Sequence, residues 1–125
     1  MIKSLVVFIG GGIGSLLRYL MSGWVYSLMG AGFPYGTFAV NILGSLVIGF
    51  FLTVAEDRFL VSPDFRVFVA IGIIGGFTTF STFTYETLGL FRDGSFLLGA
   101  ANIVLSITAA LLAAWLGSLL GKLVI

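Results

Sequence analysis

The chain has 125 residues, 59% of them hydrophobic and only 9% charged, with a mean hydropathy of +1.20 and a formal net charge of +1. Soluble domains carry roughly 25% charged residues, so this composition excludes that class and defines an integral membrane protein. Neither cysteine nor histidine is present, which excludes disulfide scaffolds, thiolate or imidazole metal sites and histidine-based triads, and the near-neutral charge argues against nucleic-acid binding.

A hydrocarbon core of ~30 Å takes about 20 helical residues to cross. By that measure residues 1–125 form one membrane domain of four helices, near 3–28, 37–55, 66–90 and 95–122. In the first helix Lys3 precedes an apolar run, as in a secretory leader. The run continues past Arg18 into another long apolar stretch, with no compact small-residue cleavage site and polar mature domain after it, so it reads as a span. Arg18 follows GGGIG, and facing lipid at the centre would cost it at least ~2.5 kcal/mol. It either snorkels along its stem to the interface or attracts anions at a vestibule mouth.

Met29-Gly30-Ala31-Gly32-Phe33-Pro34 breaks the next long apolar stretch in two. The second helix then carries Asn41, which either ties helices together or hydrogen-bonds a permeating ion. Gly36, Gly44 and Gly49 suit close helix packing. The following loop, Glu56 to Arg66, is the clearest water-exposed segment. Counting Lys3, Arg58, Arg66 and Lys122 against Arg92 and Arg18 gives a mild bias toward cytoplasmic termini, small enough to leave room for both orientations.

The third helix holds GGFTTFSTFTYE, Gly75 to Glu86. Thr78, Thr79, Ser81, Thr82 and Thr84 are hydroxyls at a depth where polar groups are expensive. Gly72, Gly75 and Gly76 weaken the helix just before them, which predicts an unwound turn over Gly75 to Thr79. Main-chain carbonyls freed at membrane depth are tolerated only when buried in protein, lining water or coordinating a cation. Phe80 and Phe83 then share one face of the resumed helix; they either pack, or turn their positive ring edges to a small anion. Glu86 marks the interface, carries protons or shapes a pore exit. In the fourth helix Asn102 and Ser106 share a face that continues through Ala110 and Ala114, a stripe that fits close packing and a pore wall equally well.

Three motifs, GGGIGSLLRY (Gly10 to Tyr19), PYGTFAVNILGS (Pro34 to Ser45) and GGFTTFSTFTYE, make the chain similar to the Fluc fluoride channels, small bacterial membrane proteins of four helices. The resemblance covers the whole chain in length and layout. It implies an all-α, antiparallel, dual-topology homodimer in the bacterial inner membrane, with two fluoride pathways built from both subunits. By that likeness Asn41, Phe80 and Phe83 line the pathway, Ser81, Thr82 and Glu86 continue it, and Arg18 stands at the vestibule. Asn102 and Ser106 would extend it on the fourth helix, where some relatives carry a tyrosine at the position of Asn102. The resemblance also implies a structural sodium ion at the dimer centre, held by the Gly75 and Thr78 carbonyls of each subunit, and oxygen ligands without a carboxylate suit such an ion.

Fluoride is small and tightly hydrated, and a selective pathway must replace its water with closely spaced donors that release it again. The expected function is passive export of cytoplasmic fluoride, giving fluoride resistance, with lipid, fluoride and a second copy of the chain as partners and no other protein evident. The alternative is a fluoride/proton transporter using Glu86. A small multidrug exporter would need an acid in the first helix, which has Arg18 instead. A packing scaffold leaves the hydroxyl cluster unexplained, and an enzyme lacks an evident nucleophile and base.

Overall fold

The structure is a computed structural model that describes residues 1–56 and 60–125. Arg58, counted above toward the orientation bias, lies outside the described residues. Among those described, Ile2–Met29, Tyr35–Ala55, Pro63–Arg92 and Phe96–Val124 are long and apolar enough to cross a membrane. The chain is therefore an all-helical, multi-pass membrane protein.

Helix α1 (Ile2–Met29) ends at Gly30, whose φ of 83° suits glycine and whose N–H donates to Tyr26 O at 2.8 Å. Helix α2 (Tyr35–Ala55) starts two residues earlier than expected because Pro34, with φ at −76°, already presets the turn. The third span starts at Pro63 instead of residue 66. Ser62 caps it by accepting the Phe65 N–H at 3.3 Å, and Pro63 takes the first helical position, which needs no N–H. After the short α3 (Pro63–Arg66) the span winds as a π-helix over Val67–Ile74, returns to α-helix in α4 (Gly75–Phe77), and resumes as α5 (Phe80–Arg92). Gly94, with φ at 80°, then turns the chain into α6 (Phe96–Val124), and Ser95 N–H reaches back to Leu90 O at 2.9 Å.

Two glycine crossings set the packing. Gly10 of α1 lies on the π-helix so closely that a Cβ there would sit 2.6 Å from Phe68 O, and one on Gly72 would sit 2.9 Å from the Gly10 Cα. Helices α2 and α6 form the other: a Cβ on Gly117 would meet Phe50 N at 2.8 Å, and one on Gly49 would meet the Ala114 main chain at 2.9 Å. Without a hydrophobic drive between helices in lipid, this close approach is what dispersion forces require. Gly36 and Gly44 lie in close approaches too, against Tyr26 and Thr78. Large apolar side chains such as Phe8, Leu97, Leu111 and Trp115 point outward from the bundle, the surface that a lipid solvent calls for.

Candidate functional site

The helix stops within the hydroxyl run. Thr78 (φ −89°, ψ 156°) and Thr79 (φ −148°, ψ 123°) are extended, whereas Gly75, Gly76 and Phe77 remain helical. The non-helical residues are thus the last two of the stretch marked by the sequence; of the glycines before them, Gly72 and Gly76 pack closely on α1, while Gly75 is exposed and stays helical. Preceding them, the π-helix draws the Gly75 N–H to Ala70 O, a five-residue bond.

Side chains take over the hydrogen bonds that the interruption releases. Asn41 of α2 holds Thr79 at two points: its Oδ1 accepts the Thr79 N–H at 2.8 Å and its Nδ2 donates to Thr79 O at 2.9 Å. Thr79 Oγ1 caps α5 by accepting the Thr82 N–H at 3.2 Å. Arg18 reaches across from α1, its Nε donating to Gly76 O at 3.1 Å. In an unbroken helix the amides of Thr79 and Thr82 would serve the carbonyls of Gly75 and Thr78. Both amides are committed elsewhere, so these two carbonyls lose their helical partners. Among the described residues no three acidic side chains cluster.

A groove of about 310 Å³ runs beside the break. Its polar lining includes Asn41, Ser45, Thr78, Thr79 and Ser106, and its apolar lining includes Phe80, Phe83 and Ala110. The rings of Phe80 and Phe83 are 5.5 Å apart and tilted by 47°. Their settings differ, since Phe83 is 8% exposed and Phe80 76%. The alanine stripe of α6 divides accordingly: Ala110 faces the groove, while Ala114 is the packing partner of Gly49.

The remaining sequence-marked residues stand off this groove. Asn102 is buried at 1% exposure and donates through Nδ2 to Thr87 Oγ1 at 2.8 Å, while Ser106 Oγ donates to Asn102 Oδ1 at 3.1 Å. Ser106 therefore connects the groove to an internal polar chain that continues from Thr87 Oγ1 to Phe83 O at 2.7 Å. Ser81 is exposed on the outer surface of α5, and Thr82 is half-buried with its hydroxyl 3.1 Å from that of Thr79. Glu86 is bound by two donors, Tyr26 Oη at 2.5 Å on one carboxylate oxygen and Thr37 Oγ1 on the other.

Tyr26, Thr37 and Thr87 were not singled out by sequence reasoning. A signal existed for Thr37, which precedes Asn41 by one helical turn and so shares its face. Thr87 stands one turn beyond Phe83 in the same way. Tyr26 gave no such signal, being 60 residues from its partner.

An open groove whose wall carries Asn41, Ser45, Thr78, Thr79 and Ser106, set against an interrupted span, fits the class of polytopic membrane proteins that place irregular backbone and polar side chains at membrane depth, as channels and transporters do. Comparison with known proteins narrows it. Residues 5–118 match the family described as CrcB-like protein, Camphor Resistance (CrcB), and the chain belongs to that family. It is 50% identical over 114 residues to a protein of Geotalea daltonii named fluoride-specific ion channel FluC, covering 90% of this chain and 92% of the relative. The identically named protein of Geotalea uraniireducens is 48% identical, over 94% and 95% of the two chains. That of Clostridium perfringens is 42% identical, over 98% and 96%. Four spans and bacterial relatives of this kind make it a multi-pass protein of the bacterial inner membrane.

Proposed function

We propose that the protein is a fluoride-selective channel that exports cytoplasmic fluoride passively, working as an antiparallel homodimer with two pores. The names of its relatives support the ion, and one structural observation carries the route: the groove that joins Asn41, Thr79, Phe80, Phe83 and Ser106. These groups suit a small anion. Asn41 keeps a second Nδ2 hydrogen to donate after its bond to Thr79, and the phenylalanine edges add weak positive potential without a fixed charge. Weak, closely spaced contacts let an ion leave as readily as it enters.

Arg18 would raise the local anion concentration near the mouth, while its bond to Gly76 O keeps it anchored beside the break. Ser81, Thr82, Asn102 and Glu86 belong to the route only where the second subunit or side-chain motion brings them to it.

Dimerisation has its own support. Gly75, Phe80, Ser81 and Thr84 are exposed on the single chain beside an interrupted backbone, and lipid cannot satisfy such a surface. A second copy would cover it. The Gly75 and Thr78 carbonyls fit the sodium ion that the family resemblance implies, because their helical amides are diverted. When bound, the ion would be coordinated by those oxygens in place of their lost amides and would hold two subunits together.

The proton-coupled reading is not favoured. Both oxygens of Glu86 already accept from Tyr26 and Thr37, and the relatives are named channels.

Purified protein in liposomes should release fluoride with the proton gradient collapsed and leave chloride behind. Equal flux of both halides, or flux only with a proton gradient, would sink the proposal. Phe80→Ile and Phe83→Ile should each suppress flux while leaving the dimer intact on crosslinking.

A further inference from the structure

The carbonyls of Gly75 and Thr78 are free because of two side chains. Asn41 Oδ1 captures the Thr79 N–H at 2.8 Å, which a continuous helix would give to Gly75 O, and Thr79 Oγ1 captures the Thr82 N–H at 3.2 Å, which would go to Thr78 O. Two neighbouring carbonyls each accept a side-chain bond instead, Gly76 O from Arg18 Nε and Thr79 O from Asn41 Nδ2. Phe77 O also loses its helical partner, the Ser81 N–H, but no side chain accounts for that; the oxygens freed by a side chain that captures their amide are those of Gly75 and Thr78.

We propose that Asn41 and Thr79 are positioning residues for the cation: they hold the Gly75 and Thr78 carbonyls open, and Asn41 thereby links the wall of the anion groove to the cation site. This rests on the reading of those carbonyls as sodium ligands. Removing the acceptor at residue 41 lets the Thr79 N–H return to Gly75 O, and removing the hydroxyl at residue 79 lets the Thr82 N–H return to Thr78 O. Each change would close one oxygen by extending the helix across the break. Asn41 has a second consequence. Substitution by aspartate keeps an oxygen acceptor for the Thr79 N–H while placing a negative charge in the groove, so it should separate the two ions: sodium binding retained, fluoride flux stopped.

The test is the melting temperature of the purified protein in detergent, measured against sodium concentration at constant ionic strength with N-methyl-D-glucamine as the replacement cation. Sodium should stabilise the wild type. Asn41→Ala and Thr79→Val should each raise the half-maximal sodium concentration by about tenfold or more, a loss of roughly 1.4 kcal/mol, whereas Asn41→Asp and Thr79→Ser should stay within about threefold of the wild type. Wild-type sodium dependence in both Asn41→Ala and Thr79→Val would overturn the proposal and leave the cation site standing. Equal losses in the conservative and disruptive variants would overturn it as well. No sodium-specific shift in the wild type would remove the cation reading itself, and this proposal with it.

Discussion

The α2–α6 crossing and the Asn41–Thr79 break are built on the same helix, yet they solve opposite problems. At the crossing every backbone group is satisfied within its own helix, so the only requirement is close approach, and Gly49 and Gly117 provide it. At the break the backbone lacks its own partners, so closeness is not enough and polar side chains must supply hydrogen bonds. The contrast shows what each residue type does in lipid: small residues where helices are continuous, amides and hydroxyls where they are not.

The largest expected effect breaks the first side of that comparison. Gly117→Val puts a Cβ against the rigid main chain of Leu46 and Phe50, and overpacking of this kind costs about 3 kcal/mol or more. A melting temperature equal to that of the wild type would mean that α6 slides freely on α2, contrary to a tight crossing.

Asn102→Leu tests a polar network that sits away from the break. It removes the donor to Thr87 across α5 and α6 and the acceptor of Ser106 within α6, and an interhelical hydrogen bond in membranes is worth about 0.6 to 2 kcal/mol. Loss of stability within that range, read by denaturant titration in detergent, would place the chain in the packing of α5 on α6. A larger loss would point to a wider polar network around the same residue.

Tyr26→Phe removes one of the two donors to Glu86. The remaining Thr37 bond should limit the loss to about 1 kcal/mol. Fluoride efflux that gained a dependence on the proton gradient in this variant would revive Glu86 as a proton carrier, which the intact pair of donors argues against.

The smallest effect should come from Gly23→Ala. No heavy atom outside its own helix lies within 4 Å of the added Cβ, and alanine is the better helix former by about 1 kcal/mol. The melting temperature should hold or rise slightly. A marked fall would show that Gly23 packs against a partner, such as the second copy proposed above.

Much of the third span could be read in advance from Gly75 to Glu86, because glycines beside hydroxyls are costly in lipid without a purpose. The location within it could not. Whether Gly75 or Thr79 leaves the helix depends on which amides find other acceptors, and the acceptor of Thr79 lies 38 residues away on α2. The π-helix was illegible for a related reason, since nothing in VFVAIGII distinguishes five-residue from four-residue bonding apart from its fit against Gly10. Asn41 had two readings in the sequence, helix tie or ion contact. The structure gives it the tie, with one N–H left over.

By itself the sequence determined the solvent and the count of spans: lipid tolerates only long apolar helices with internal hydrogen bonds, and hydropathy records that residue by residue. Its motifs also marked out the family to which the chain belongs. Only the tertiary structure decided which hydroxyls meet the groove, which cap a helix, and which carbonyls stay free. Those choices turn on hydrogen bonds between helices distant in sequence, and such bonds hold only once the glycine crossings have brought the helices together.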